Sequence, residues 1–295
     1  MKKKVSLVLS GGGARGSAHI GVIEELERQG YLITSIAGTS MGALVGGVYA
    51  LGKMPEFKEW ICSLDKIKVF KLIDFTFSTQ GLVKGDKVLN AMKAIISDTN
   101  IEDLKIPYAA IATDILNKKE VVFREGSIYK AIRASISIPT VFTPLKVGET
   151  LLVDGGIINN IPLKHVKRSP GDLLIAVNVN ADIPVYRPDF TQKEETAIQS
   201  LYRKRLKRFH NYLQKDAEEK EVDHLSYFNL IDKTLSLMMY QISQLSIEHY
   251  APDLLIKVSR DSCSTFDFFK AEELVEIGRH AAAKSLAEMN LKIND

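Results

Sequence analysis

Ile36-Ala37-Gly38-Thr39-Ser40-Met41-Gly42 carries the pattern G-x-S-x-G at Gly38, Ser40 and Gly42. Its reading decides the fold. Tyr31 to Ala37, in front of it, reads as a short buried strand, and Ala43 to Leu51, behind it, as the start of a helix. A serine between the two sits on a sharp strand-to-helix turn, with glycines where the turn is too tight for a Cβ. The helix start beneath the serine favours negative charge there. Taken alone, the pattern equally describes a small-residue turn at which a strand and a helix pack closely. The flanking sequence has to separate the two.

Upstream, Val5-Ser6-Leu7-Val8-Leu9 is an apolar run of the kind found in strands covered on both faces. Ser10-Gly11-Gly12-Gly13-Ala14-Arg15-Gly16 follows, and then Ala18 to Gln29 reads as a helix closed by Gly30. Ile20, Ile23 and Leu26 take one face of it and Glu24, Glu25 and Glu27 another. The opening is therefore strand, glycine loop, helix, strand, sharp turn, helix, which is α/β order. Gly11, Gly13 and Gly16 also spell G-x-G-x-x-G, so a nucleotide-binding module competes. That site needs an acidic residue about 20 positions on to hold a ribose hydroxyl. No Asp or Glu occurs from Tyr31 to Met54, and no G-x-x-x-x-G-K-[ST] loop is present. The other use for bare N–H groups beside a helix start is to hold an oxyanion formed at Ser40.

Downstream, Pro55 to Val83 carries Trp60, Phe70, Phe75 and Phe77 and reads as a helix and irregular cover whose aromatics pack in the core. Gly85 to Ser97 reads as a helix. Ile106 to Thr113 and Lys119 to Phe123 read as strands about a turn, and Ser127 to Ser137 as a helix ended by Pro139. Arg133-Ala134-Ser135-Ile136-Ser137-Ile138-Pro139 has small residues that permit close packing. Val141 to Val147 and Thr150 to Val153 make a hairpin at Gly148. Val153-Asp154-Gly155-Gly156 puts an aspartate on a tight loop at a strand end, where ligands gather in open α/β sheets. Asp-Gly is also a common turn pair, and on spacing alone that plainer reading stands beside the chemical one. Asn159-Asn160-Ile161-Pro162 reads as a side-chain-stabilised loop, and Leu173 to Asn178 as another strand. Leu254 to Val258 and Ala271 to Met289 supply a last strand and a closing helix.

Asp182 to Tyr250 differs. Leu201, Tyr202, Leu206, Phe209 and Leu213 recur near helical spacing, with Arg203, Lys204, Arg205, Lys207 and Arg208 between them. The stretch is a helical cover with a basic face, read either as a solvated face or as a patch for an anionic bilayer. Leu225 to Tyr250 is more apolar and reads as a lid, a dimer face or core.

At 295 residues with 45% apolar and 25% charged content, the chain is expected to form one elaborated domain over 1–295. A net charge of +3 is too small to imply nucleic acid. Two cysteines, Cys62 and Cys263, make neither a metal pair nor a disulfide framework, which suits a reducing compartment. Val5 to Leu9 is too short for a signal core, and no apolar run is long enough to span a bilayer. A cytoplasmic location, peripheral at the membrane, is expected.

With the glycine loop, G-T-S-M-G and D-G-G in that order, the chain resembles the patatin-like phospholipase family. The likeness covers Val5 to about Asn180 and, more loosely, Asp253 to Ala283. It implies a three-layer α/β/α fold with a central, mostly parallel sheet and a helical insertion at about 182–250. It implies a serine acyl hydrolase of lipid or phospholipid esters with no metal and no cofactor. Ser40 would be the nucleophile and Asp154 the proton acceptor of a dyad. Gly11, Gly12 and Gly13 would stabilise the oxyanion, with Arg15 shaping or charging their loop. Gly16, Gly38, Gly42, Gly155 and Gly156 would complete the motifs. Met41 stands where the family often has a smaller residue, which narrows the turn. A Ser-Asp-His triad is open by order through His165, His210, His224, His249 or His280, but none lies in a comparable motif; His19 reads as packing near the loop. An inactive scaffold is the remaining alternative, against which Ser40 and Asp154 stand intact. A homo-oligomer is compatible with the apolar stretch after Leu225.

Overall fold

A computed structural model describes residues 3–72, 86–93, 95, 97–139, 142–188 and 227–294. The first strand, β1 (Lys4–Leu9), leads through a 3-10 turn at Gly13–Ser17 into α1 (Ala18–Arg28). Then come β2 (Leu32–Thr39), α2 (Met41–Ala50), α3 (Met54–Cys62), α4 (Lys66–Leu72) and α5 (Asp86–Lys93). The middle of the chain is β3 (Tyr108–Asp114), β4 (Lys119–Phe123), α6 (Ile128–Ser135), β5 (Leu145–Val147) and β6 (Thr150–Asp154). It closes with β7 (Leu173–Ala181), α7 (Tyr227–Tyr250), β8 (Leu254–Ser259) and α8 (Ala271–Asn294).

The strands form one sheet in the order β5-β6-β3-β2-β1-β7-β8, with β4 also paired to β3. β1, β2, β3, β7 and β8 are mutually parallel, and the β4, β5 and β6 pairings are antiparallel. Helices flank this mostly parallel sheet, giving the expected three-layer α/β/α arrangement. Its two faces are unequal. Val5, Leu7 and Leu9 point into a large core shared with α1, α2 and α8. Val8, Ala37 and Ala176 point the other way, onto Ile161, Leu163 and Val166, with Ile247 of α7 packed at the edge. Alternation along one strand thus fills both layers, the requirement for a sheet buried on two sides.

The register at β3 brings two chain ends together. β2 pairs with β3 up to Thr39↔Ile111, and β6 pairs with it from Ala112↔Asp154 onward. β4 pairs with Ala110 to Asp114 throughout that change. A strand has only two edges, so β2 and β6 share one, meeting head to head at consecutive β3 residues. The residue after Thr39 is Ser40, and the last residue of β6 is Asp154.

The expected Val141–Val147 strand is shorter here, beginning at Leu145 as β5, and its hairpin turns at Gly148 with φ +58°. Of the expected cover, residues 189–226, including Arg203 to Arg208 and Phe209, lie outside the described residues, as do Phe75 and Phe77. α7 accounts for most of the Leu225–Tyr250 expectation.

α1 and α8 cross where both are glycine. A Cβ on Gly21 would strike the Val275 carbonyl, and one on Gly278 would strike the Ala18 carbonyl. Neither obstacle is a side chain that could swing aside. Gly278→Ala should therefore cost about 1–3 kcal/mol, the usual penalty of overpacking a filled contact. Its urea midpoint should fall with an unchanged m-value; an unshifted midpoint would show that the helices slide apart freely.

Candidate active site

Ser40 stands between β2 and α2 at φ 54° and ψ −123°. Positive φ is strained for a residue with a Cβ and is held only where surroundings over-determine it. Here they do. Gly38 has no room for a Cβ because the Gly42 backbone lies against it, and Gly42 has none because the Leu9 and Ser10 carbonyls do. The Ser40 N–H donates to Ser135 Oγ at 2.8 Å, and that hydroxyl donates to the Ile111 carbonyl at 2.6 Å.

Asp154 lies opposite. The Ser40 side chain lies close enough to pull its pKa down, and Asp154 Oδ1 accepts the Gly156 N–H at 2.7 Å. The Asp154 N–H donates to the Ser137 carbonyl at 2.9 Å. Gly155 and Gly156 are needed because Asp154 must turn back at once. A Cβ on Gly155 would strike the Ile111 carbonyl, and one on Gly156 would fall 3.0 Å from Asp154 Oδ1. Both Ser40 and Asp154 are buried. Burial pushes the Asp154 carboxyl up to about 6, against the pull of the Ser40 side chain and the Gly156 N–H.

The glycine loop lies on the serine, since a Cβ on Gly11 would sit 3.2 Å from Ser40 Cβ. One expectation is corrected here. The Gly11 N–H donates to the Asn160 carbonyl at 3.1 Å and so is already used. Gly12 and Gly13 have no backbone partner for their N–H groups among the described residues. Gly13 takes φ +56° beneath Thr265, and Gly16 makes room for Met41, which fits the narrow turn without clash. Arg15 braces the loop. Its guanidinium donates to Asn180 Oδ1 at 3.0 and 3.2 Å and to the Cys263 carbonyl at 3.0 Å, while Asn180 Nδ2 donates to the Gly11 carbonyl at 2.6 Å.

None of the described histidines reaches Asp154. His165 Nε2 pairs with Glu120 Oε2 at 2.7 Å, His280 stacks on Tyr186, and His249 meets Tyr250 edge-on. His19 Nε2 donates to the Ser10 carbonyl at 2.8 Å. Burial lowers its pKa to about 4 against the pull of that bond, so it is neutral at pH 7 and packs, as expected. His210 and His224 lie outside the described residues.

A narrow, almost wholly apolar cavity of about 80 Å³ opens at Ser40. Its far walls are Trp60 and Ile61 of α3, Leu72 of α4, Met92 of α5 and Phe266. The cavity lies on the α3–α5 side. Trp60 packs against the main core, as expected, and also lines the cavity. Ser135, Ser137 and Asn160 were missed as parts of the site.

The sequence model of the patatin-like phospholipase family matches residues 7–167. The chain belongs to that family. It is similar to an uncharacterised NTE family protein of Mycobacterium tuberculosis (strain ATCC 25618 / H37Rv), 33% identical over 96% of this chain and 91% of that protein. It is also similar to patatin-like phospholipase domain-containing protein 6 of Mus musculus, 33% identical over 60% of this chain but only 14% of that much longer protein. Among solved structures, VipD from Legionella pneumophila matches with a TM-score of 0.48 and 14% identity, over 98% of this chain and 67% of that one.

The raised Asp154 pKa sets a stability test. A folded-state value near 6 against an ordinary 3.8 disfavours the ion in the fold. Stability is therefore full below the unfolded value and is lost as pH rises through about 6, by at most about 3 kcal/mol for two pKa units. Asp154→Asn should melt above wild type at pH 8 and match it near pH 4. A constant difference across that range would mean that burial does not control this carboxyl.

Proposed function

We propose that the protein is a serine acyl hydrolase that cleaves lipid esters through Ser40 and Asp154. Family membership supports a lipid ester as the substrate class. The observation that carries the reading is the juxtaposition of Ser40, on its strained turn after β2, with the buried Asp154 at the end of β6. Ser40 Oγ attacks the ester carbonyl as its proton passes to Asp154. The tetrahedral oxyanion is held by the Gly12 and Gly13 N–H groups. The carbonyl re-forms, and the alcohol leaves with the proton from Asp154. Asp154 then takes a proton from water, whose oxygen attacks the acyl-Ser40 carbon. The acid is released, and Ser40 regains its proton. The acyl chain lies in the apolar cavity that opens at Ser40.

A carboxylate is a weak base for a hydroxyl, and its elevated pKa reduces that mismatch. Asp154 must be ionised to accept the proton. Hydrolysis of a soluble p-nitrophenyl ester should therefore rise with pH through about 6 and level off above it. A fluorophosphonate should label wild type at Ser40, leave Ser40→Ala unlabelled and react slowly with Asp154→Asn. Undiminished hydrolysis by purified Ser40→Ala would end the proposal.

Peripheral docking on an anionic bilayer belongs to the same proposal. No helix among the described residues is long and apolar enough to cross a membrane. α7, whose Met239 reaches Gly156, leaves Leu230, Leu237, Met238 and Leu245 exposed. The basic residues Arg203, Lys204 and Arg205 precede it in the chain. Each cation near an anionic surface contributes about 1 kcal/mol, screened over about 8 Å at physiological salt. Binding to phosphatidylserine vesicles should weaken with salt and on charge reversal of those three residues, while hydrolysis of a soluble ester stays the same. Binding indifferent to both would leave the α7 stripe as a dimer face or a plain cover.

A further inference from the structure

Ser135 and the turn that follows it touch both the dyad and the cavity. Ser135 Oγ accepts the Ser40 N–H at 2.8 Å and donates to the Ile111 carbonyl at 2.6 Å. The Ser137 carbonyl takes the Asp154 N–H at 2.9 Å. Between and after them, Ile136 and Ile138 line the apolar cavity at Ser40. The turn is tight, with the Ser137 N–H on the Ala134 carbonyl at 3.2 Å and the Ile138 N–H on the Ile136 carbonyl at 2.8 Å. The Arg133 guanidinium donates to Ser137 Oγ and, at 2.9 Å, to the Thr143 carbonyl, bracing it from outside. Four consecutive residues thus alternate between holding the reacting pair and walling the cavity. A displacement of Ile136 or Ile138 cannot leave Ser135 and Ser137 where they were, because hydrogen-bonded turns of this size move as units.

We propose that Ser135 is a positioning residue that couples filling of the acyl cavity to the alignment of Ser40 with Asp154. The inference rests on the dyad reading given above and adds to it a reason why chain length should enter the rate of chemistry as well as binding. An acyl chain in the cavity presses the turn into one position. Ser135 then holds the Ser40 backbone at its strained dihedrals, and the Ser137 carbonyl holds Asp154 opposite it. Without the chain, the turn has room to shift, and the serine–carboxylate alignment loosens with it.

The test compares soluble p-nitrophenyl acetate and p-nitrophenyl octanoate. In wild type, kcat for deacylation and the initial burst rate should both rise from acetyl to octanoyl. Ser135→Ala should lose about 10²-fold in kcat on the octanoyl ester, the scale of loss from a misplaced reacting group. Its KM should change little, and its kcat should no longer depend on chain length. Ser135→Thr, which keeps the hydroxyl, should regain most of both. A wild-type kcat that ignores chain length overturns the inference, as does Ser135→Ala with wild-type kcat, or Ser135→Thr folded yet no better than alanine. Should Ser135→Ala fail to fold by circular dichroism, Ile136→Ala decides. A fall in octanoyl kcat supports the coupling, and a change confined to KM refutes it. Ser40→Ala run in parallel keeps the two readings apart. Hydrolysis surviving in Ser40→Ala defeats the dyad itself, whereas its loss there beside an unaffected Ser135→Ala defeats only the coupling.

Discussion

The structure depends on β3 handing one of its edges from β2 to β6 between Ile111 and Ala112. That change places the C-terminal ends of two strands, one parallel and one antiparallel to β3, against each other in the middle of a sheet. Each end must then leave the plane within one residue, since the other occupies the continuation of its path. β2 leaves by the turn at Ser40 into α2, and β6 leaves by the 3-10 turn at Gly155–Ile157. The glycines of both motifs follow from this. Gly38 and Gly42 let α2 start hard against β2, and Gly155 lets the β6 exit pass over the Ile111 carbonyl. The Ser40–Asp154 contact is a consequence of sheet register before it is anything chemical.

That register carries two costs that are absent from an ordinary strand junction. Ser40 sits in a backbone region worth about 1–3 kcal/mol of strain. Asp154 is a carboxyl away from water, and burial opposes its ionised form. The surroundings offset both with backbone groups. Ser135 and Ile111 satisfy the Ser40 N–H through one hydroxyl, and the Gly156 N–H meets the carboxylate. No charged side chain is spent on Asp154 among the described residues, and none would serve. A cation beside it would lower its pKa and make it a poorer acceptor for a serine proton.

Much of this was legible in the sequence because it is local. β1, the glycine loop, α1, β2 and α2 follow from apolar runs and glycine spacing, and the structure places them within a residue or two of expectation. Ser40 and Asp154 were also legible as motif residues, although only the family resemblance implied their meeting, because nothing in either motif states that β2 and β6 share an edge. The glycine loop was legible in outline only. Gly11 reads as a free donor until the Asn160 carbonyl, 149 residues on, is found beneath its N–H. Ser135 and Ser137 read as small residues that allow close packing, since a hydroxyl's partner is not written in its neighbours. The cavity was least legible. Its walls come from α3, α4, α5 and Phe266, and a side chain lining a dry pocket has the same composition as one filling a core.

The position of that cavity bears on how the proposed Ser40–Asp154 pair would work with no described histidine beside it. An imidazole can accept a serine proton over a range of small displacements because it is a strong enough base near neutral pH. A carboxylate lacks that margin even when burial raises it, so more of the rate must come from fixed geometry and from the oxyanion donors. Fixed geometry in turn needs a dry, closed surround, and the cavity lining at Ser40 is nearly all hydrocarbon. An acyl chain would complete that surround by displacing water from beside Ser40 and Asp154. The same apolar walls that would hold the substrate would then keep Asp154 poorly solvated at the moment it must hold a proton. Under the proposed mechanism the α3–α5 layer, which carries none of the three motifs, would contribute to chemistry as well as to substrate shape, through the environment it builds around Asp154.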